Sequence, residues 1–164
     1  MSNVEIISIR RADAADAERL NAALVALSEV LGDTHVADAG ALLRHGFNDV
    51  PAFSALIAET QAGELRGALL SSPVFSTTYG GAGIYVSDLW VSDDARGQGL
   101  GRRLLAAAIE MAPESWDVRF LKLAVYDDNP RARAFYDRLG FRDDPRETVL
   151  RLAKTDFDRL TDET

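Results

Sequence analysis

The chain is 164 residues long, 47% apolar and 27% charged, a balance that supports one hydrophobic core and excludes a disordered protein. With no cysteine it has no disulfide, thiolate metal site or sulfur nucleophile, and no apolar stretch reaches the ~18 residues that a membrane span needs. Its formal net charge of −8 argues against a nucleic-acid partner and favours a cationic substrate, and without an apolar span no membrane partner is expected.

The opening Met1-Ser-Asn-Val-Glu5 lacks the basic start and apolar stretch of a secretion signal, so a cytoplasmic location is expected. Glu5 to Arg10 alternates as a first strand. Asp13 caps a helix reaching about Leu31, with Leu20, Leu24, Leu27 and Leu31 as its buried stripe and Gly32 as its stop. A short helix spans about Asp38 to His45 and ends at Gly46, with Phe47 behind it. The two histidines, His35 and His45, make a poor metal site, and no metal is expected. Phe53 to Glu59 reads as the second strand, Gln61 to Glu64 as a hairpin turn and Leu65 to Ser71 as the third strand. Ser72-Pro73 marks a break or bulge before Val74 to Ser76 resumes. Tyr79-Gly80-Gly81 then turns the chain into a fourth strand, Gly83 to Val91, which completes an antiparallel meander.

That strand runs into a polar turn, Ser92 to Ala95, and then Arg96, Gly97, Gln98, Gly99, Leu100, Gly101 and Arg102 open a helix. A helix start presents N–H groups without intrahelical partners and carries partial positive charge. Glycines let a ligand approach these amides, and arginines add charge at the rim, which suits a diphosphate. Of the 18 basic residues only Lys122 and Lys154 are lysine, and planar guanidinium groups suit phosphate recognition. A Walker loop would need Lys followed by Ser or Thr, and a Rossmann loop needs G-x-G-x-x-G, so neither nucleotide motif fits. The helix runs to about Met111 and stops at Pro113. Arg119 to Val125 is a fifth strand, and Asn129 and Pro130 open a helix as N-cap and first residue. Gly140 closes that helix, Thr148 to Leu152 reads as a last strand and Thr155 to Leu160 as a terminal helical turn. The order implies a single α/β domain over residues 1–164, one mixed sheet with helices on both faces.

Arg96-x-x-Gly99-x-Gly101 after a strand resembles the acyl-CoA loop of the GNAT N-acetyltransferase superfamily, and Leu123 to Phe141, with Asn129, the Phe135-Tyr136 pair and Leu139-Gly140-Phe141, resembles its second CoA-contacting motif. Ile84 to Val91 and Leu42 to Phe53 are most similar to the diamine and thialysine acetyltransferase branch. That branch usually has an acidic residue before the Asp, where this chain has Ser87 before Asp88.

The resemblance implies a GNAT fold, mostly antiparallel, whose fourth and fifth strands are parallel and splay apart near Val91 and Ala124. It implies acetyl-CoA as donor, held by Leu89, Trp90, Val91, Arg96, Gly97, Gln98, Gly99, Leu100, Gly101, Arg102, Asn129, Pro130, Arg131, Ala132 and Tyr136. Transfer to an amine needs a neutral nucleophile, an oxyanion donor and a proton for the departing thiolate. Tyr136 matches the position of the family's acid, the Val91 amide that of the oxyanion donor, and Asp88 is the candidate base. Strict alternation sends Ser87 and Asp88 to opposite faces, which leaves Asp88 with a structural reading too. Ser87, His45 and Glu59 are candidate acceptor contacts. The implied function is N-acetylation of a small primary amine (a polyamine, a lysine-like amino acid or an aminoglycoside) by direct attack in a ternary complex. The alternatives are a protein or peptide N-acetyltransferase and a non-catalytic acyl-CoA-binding module. Members of the family often dimerise, so a homodimer is expected.

Overall fold

The computed structural model describes residues 5–161, which divide after Asn129 into two compact units. The first holds a five-stranded sheet in the order β1 (Ile7–Arg11), β2 (Ser54–Thr60), β3 (Leu65–Ser76), β4 (Gly81–Val91), β5 (Leu121–Leu123). Neighbours from β1 to β4 are antiparallel, and β5 lies parallel to β4. Three helices accompany the sheet: α1 (Ala17–Leu31), α2 (Ala39–Gly46) and α3 (Leu100–Glu110). No helix among the described residues is long and apolar enough to cross a membrane.

Period-two alternation sorts the sheet's side chains onto two faces. Ala55, Ile57, Ala68 and Leu70 pack with Leu20, Ala23, Leu24 and Leu42, so α1 and α2 cover one face. Gly67 and Leu69 point the other way, and a Cβ on Gly67 would meet Leu104 Cδ1 at 2.8 Å and Leu100 Cδ2 at 3.3 Å. The missing side chain at Gly67 therefore lets α3 dock closely on the second face. Leu100 and Leu104, at most 2% exposed, root the first turn of α3 there.

Asp13 caps a 3-10 turn, Ala14–Asp16, and not α1 itself; the Asp13 side chain takes the Ala15 N–H while Asp16 takes that of Asp13. Asp16, buried, also receives Arg10 at 2.8 Å and Arg19 at 2.6 Å. Both guanidinium groups continue to Glu59, each at 2.7 Å, which joins β1, α1 and β2. These arginines, Arg10 foremost, hold the Asp16 carboxyl well below the ordinary carboxylate range and lower that of Glu59.

Three boundaries differ from the sequence reading. β3 runs unbroken through Pro73, which faces Ile84. The Ile84 N–H bonds Phe120 O on the β5 side, so the Pro73 nitrogen faces away from β4, beyond the end of β2, and no ladder bond is lost. The irregularity lies instead on β4, where Leu70 faces Asp88 but Ser71 faces Val86, leaving Ser87 as a bulge. β5 is correspondingly short, its last pair with β4 being Val86–Leu123.

The second unit contains α4 (Pro130–Arg138) and a 3-10 segment, Lys154–Leu160. Proline occupies the first position of α4, where its missing N–H costs nothing. Residues 148–152 form no strand; Val149 and Leu150 are 61% and 87% exposed, so the apolar alternation buries nothing that would drive pairing.

Candidate active site

Beyond Val86 and Leu123 strands β4 and β5 part, and the side of β4 facing β5 is unpaired from Ser87 to Val91. Ser92 donates its N–H to Arg66 O on β3 at 2.9 Å, and alternation then turns the amides of Val91 and Leu89 to the open side. The split thus leaves the amides of Leu89 and Val91 without a partner strand. Trp90, between them, packs its side chain against the α1/α2 core.

The bulge corrects the expected orientation of Asp88. Val86 faces α3, Ser87 faces the α1/α2 side, and the extra residue brings Asp88 to that same side. Ser87 Oγ donates to Asp88 Oδ2 at 2.8 Å, confirming the shared face. A hydroxyl and a carboxylate therefore sit together at the mouth of the split.

The glycine loop follows β4. Gly97 and Gly99 adopt φ of +75° and +76°, with nothing within 4 Å of where a Cβ would stand. Their need for glycine is conformational, and the space above them is open. Gly99 precedes α3 without a side-chain cap, and the first turn of α3 carries no acidic residue. Leu100 and Gly101 are buried and Arg102 is exposed. Arg96 folds back on the turn, with Nη1 on Asp93 at 2.9 Å and Nε on Val91 O at 3.3 Å. Gln98 likewise donates to Asp94 O at 2.9 Å, so both side chains brace the loop that presents the amides.

Glu59, His45 and Asn129 lie outside the β4 edge. Both Glu59 oxygens are engaged by Arg10 and Arg19. His45 is exposed at the end of α2, and its carbonyl accepts the Ala52 N–H. His35 bridges Ser28 and Asn21 of α1, at 3.1 and 3.0 Å, and so fixes the α1–α2 connection. Asn129 is half-buried, its N–H on Tyr126 O at 3.0 Å.

Within the second unit Tyr136 lies on α4 between Phe135 and Phe141, with ring centroids at 5.0 and 5.4 Å. Burial pushes its phenol up to about 12, so it stays protonated at neutral pH and can donate. Arg131 is exposed and Ala132 half-buried on the same helix. Arg133 pairs with Asp137 at 2.9 Å and Asp143 at 3.1 Å on the surface of the unit.

Residues 22–141 match the sequence profile of the acetyltransferase (GNAT) family. The protein belongs to that family. It is an acyl-CoA-dependent N-acetyltransferase, and members of the family draw the transferred group from acetyl-CoA. Over 149 residues the chain is 29% identical to the mouse (Mus musculus) thialysine N-epsilon-acetyltransferase, covering 87% of this chain and 86% of that one. An integron cassette protein from the mobile metagenome of V. cholerae has the same fold, with a TM-score of 0.77 at 20% identity, over 96% of this chain and 98% of that one. An aminoglycoside N-acetyltransferase solved in complex with CoA does too, at 0.72 and 16%, over 93% and 98%. The mixed sheet of this acetyltransferase, with β4 and β5 parallel, thus belongs to a fold that both solved structures share.

Gly67, which seats α3, was not singled out from sequence, though its position inside a strand was a signal.

Proposed function

We propose that this acetyltransferase moves the acetyl group of acetyl-CoA to a primary amine of a small cationic molecule, by direct attack in a ternary complex. The observation that carries the proposal is the Ser87 bulge. It puts Ser87 and Asp88 on one face, beside a strand edge whose Leu89 and Val91 amides have no partner strand.

The residues fit acetyl-CoA. The uncapped start of α3 and the open loop around Gly97 and Gly99 suit its diphosphate, with Arg102 at the rim. The amides of Leu89 and Val91 would hold the pantetheine as a substitute strand. When bound, the donor supplies an activated acyl group on a thiolate leaving group. The Val91 N–H stabilises negative charge on the acyl oxygen. Asp88, oriented by Ser87, receives the acceptor's ammonium group and takes up its proton, and the His45 end of α2 borders the acceptor. Tyr136 gives its phenolic proton to the departing sulfur and regains one from the second proton that the attacking nitrogen sheds as the amide forms. Glu59 has no part here, since its carboxylate serves the fold. The family match spans the boundary at Asn129, which supports reading both units as one acetyltransferase domain. A homodimer is proposed on the resemblance alone.

The substrate class rests on the acidic surface, on Asp88 and on the thialysine relative. CoA-thiol release from acetyl-CoA is measured with spermidine, putrescine, lysine, thialysine, an aminoglycoside and a basic peptide. Turnover is expected with one small-amine class, and Tyr136→Phe should lower kcat by about 10²-fold with acetyl-CoA affinity retained. Turnover with the peptide alone would overturn the small-molecule reading. Silence across the panel, with acetyl-CoA bound, would favour a binding module.

A further inference from the structure

The far wall of the split is built by residues 124–129, which leave the sheet after Leu123 and so lose the ladder that fixes a strand. Within this wall the Asn129 N–H bonds Tyr126 O at 3.0 Å, closing a turn. A second link ties it to the helical layer: Tyr126 Oη donates to the Asp33 carboxylate, at 3.0 Å to Oδ1 and 3.1 Å to Oδ2. The pair is 93 residues apart in sequence.

Asp33 is itself held in place. It follows Gly32, the left-handed end of α1, and its N–H returns to Ser28 O at 2.9 Å. Helix α1 is rooted by Leu20 and Leu24, 0% and 6% exposed, and His35 pins the next loop to Ser28 and Asn21. The carboxylate is a fixed point to which the wall is joined through Tyr126. Helix α1 also covers the sheet face that carries Ser87 and Asp88. The phenol therefore spans the acceptor side of the opening.

We propose that the Tyr126–Asp33 hydrogen bond sets the width of the split on its acceptor side, which makes Tyr126 a positioning residue for the amine. The inference rests on the reading of this split as the reaction site. Tyr126 touches no reacting atom. It acts by holding the 124–129 wall opposite the Ser87–Val91 edge. Loss of the bond lets the wall drift, so the acceptor is held less well while the glycine loop, on another element, is untouched.

The test compares Tyr126→Phe, Asp33→Ala, Asp33→Asn and the double variant Tyr126→Phe/Asp33→Ala with the wild type. Thialysine and spermidine serve as acceptor probes. Tyr126 is 49% exposed, so removing its hydroxyl leaves the fold intact. Tyr126→Phe and Asp33→Ala should each raise the KM of the amine about fivefold to tenfold, the size of one solvent-exposed hydrogen bond. Their kcat and acetyl-CoA affinity should stay within about twofold. The double variant should be no worse than either single one, because both remove the same bond. Asp33→Asn keeps an oxygen for the phenol and should restore most of the wild-type KM.

Amide hydrogen exchange supplies a readout that needs no turnover: exchange at 124–129 should quicken in Tyr126→Phe and not at Leu100–Arg103. Unchanged exchange in the wall would overturn the tether. So would a wild-type KM in Tyr126→Phe, or a uniform loss of kcat, KM and melting temperature. A wild type that acetylates neither probe would count against the acetylation of these amines alone, while exchange would still decide the tether.

Discussion

Replacing Gly67 by Ala couples the core to the glycine loop in one experiment. The new methyl group would stand 2.8 Å from Leu104 Cδ1, 3.2 Å from Trp90 O and 3.3 Å from Leu100 Cδ2. Trp90 O belongs to the β3–β4 pairing and cannot retreat without breaking it. Leu104 is 0% exposed within a close-packed interior, so the contact is relieved by α3 lifting from the sheet at its first turn. Overpacking of this kind costs ~1–3 kcal/mol. For a chain of this length ~2 kcal/mol corresponds to a fall in Tm of about 4–8 °C. Because Leu100 opens the helix whose N–H groups are proposed to hold the diphosphate, the lift should also weaken acetyl-CoA binding. Thermal melting followed by acetyl-CoA calorimetry on the same preparation measures both. An unchanged Tm would refute the packing argument, and a lower Tm with unchanged affinity would separate α3 seating from cofactor binding.

Gly97→Ala and Gly99→Ala place a side chain in left-handed backbone where nothing crowds it, so each should cost ~1 kcal/mol of stability and a larger share of acetyl-CoA affinity, read by calorimetry. Asp88→Asn should cut kcat/KM for the amine with acetyl-CoA affinity retained; equal losses of both would assign Asp88 to the fold. Asp16 and Glu59 have folded-state carboxyls below their ordinary values, so their contribution is complete above about pH 4.5 and is lost as pH falls through the lowered values. Asp16→Asn should lower stability at pH 7 by about 2–3 kcal/mol, less than for a fully buried pair because Arg10 and Arg19 still reach water, and should flatten the acid limb of a urea titration.

Much of this was legible from residue pattern because the signals are local. The stop at Gly32, the glycine loop and the Asn129-Pro130 helix start are short-range instructions, and each element begins or ends within a residue or two of where they place it. The bulge was not legible. Nothing in Val-Ser-Asp-Leu announces an extra residue, since a bulge is defined by the register of a partner strand, and strict alternation therefore put Ser87 and Asp88 on opposite faces. Pro73 misled for the opposite reason: it reads as a break until the sheet shows its nitrogen facing no neighbour. Glu59 looked available because the two arginines that engage it lie 49 and 40 residues away.

The opening between β4 and β5 begins where β4 carries one residue more than its partner β3. Deleting Ser87 would restore the alternation of β4, and a longer β5 could then zip along it past Leu123, sealing the gap with ordinary ladder bonds. Such a variant should melt higher and transfer nothing. The wild-type strand carries one residue too many where its ladder to β5 ends, and the deletion tests whether that misfit keeps the sheet from completing itself.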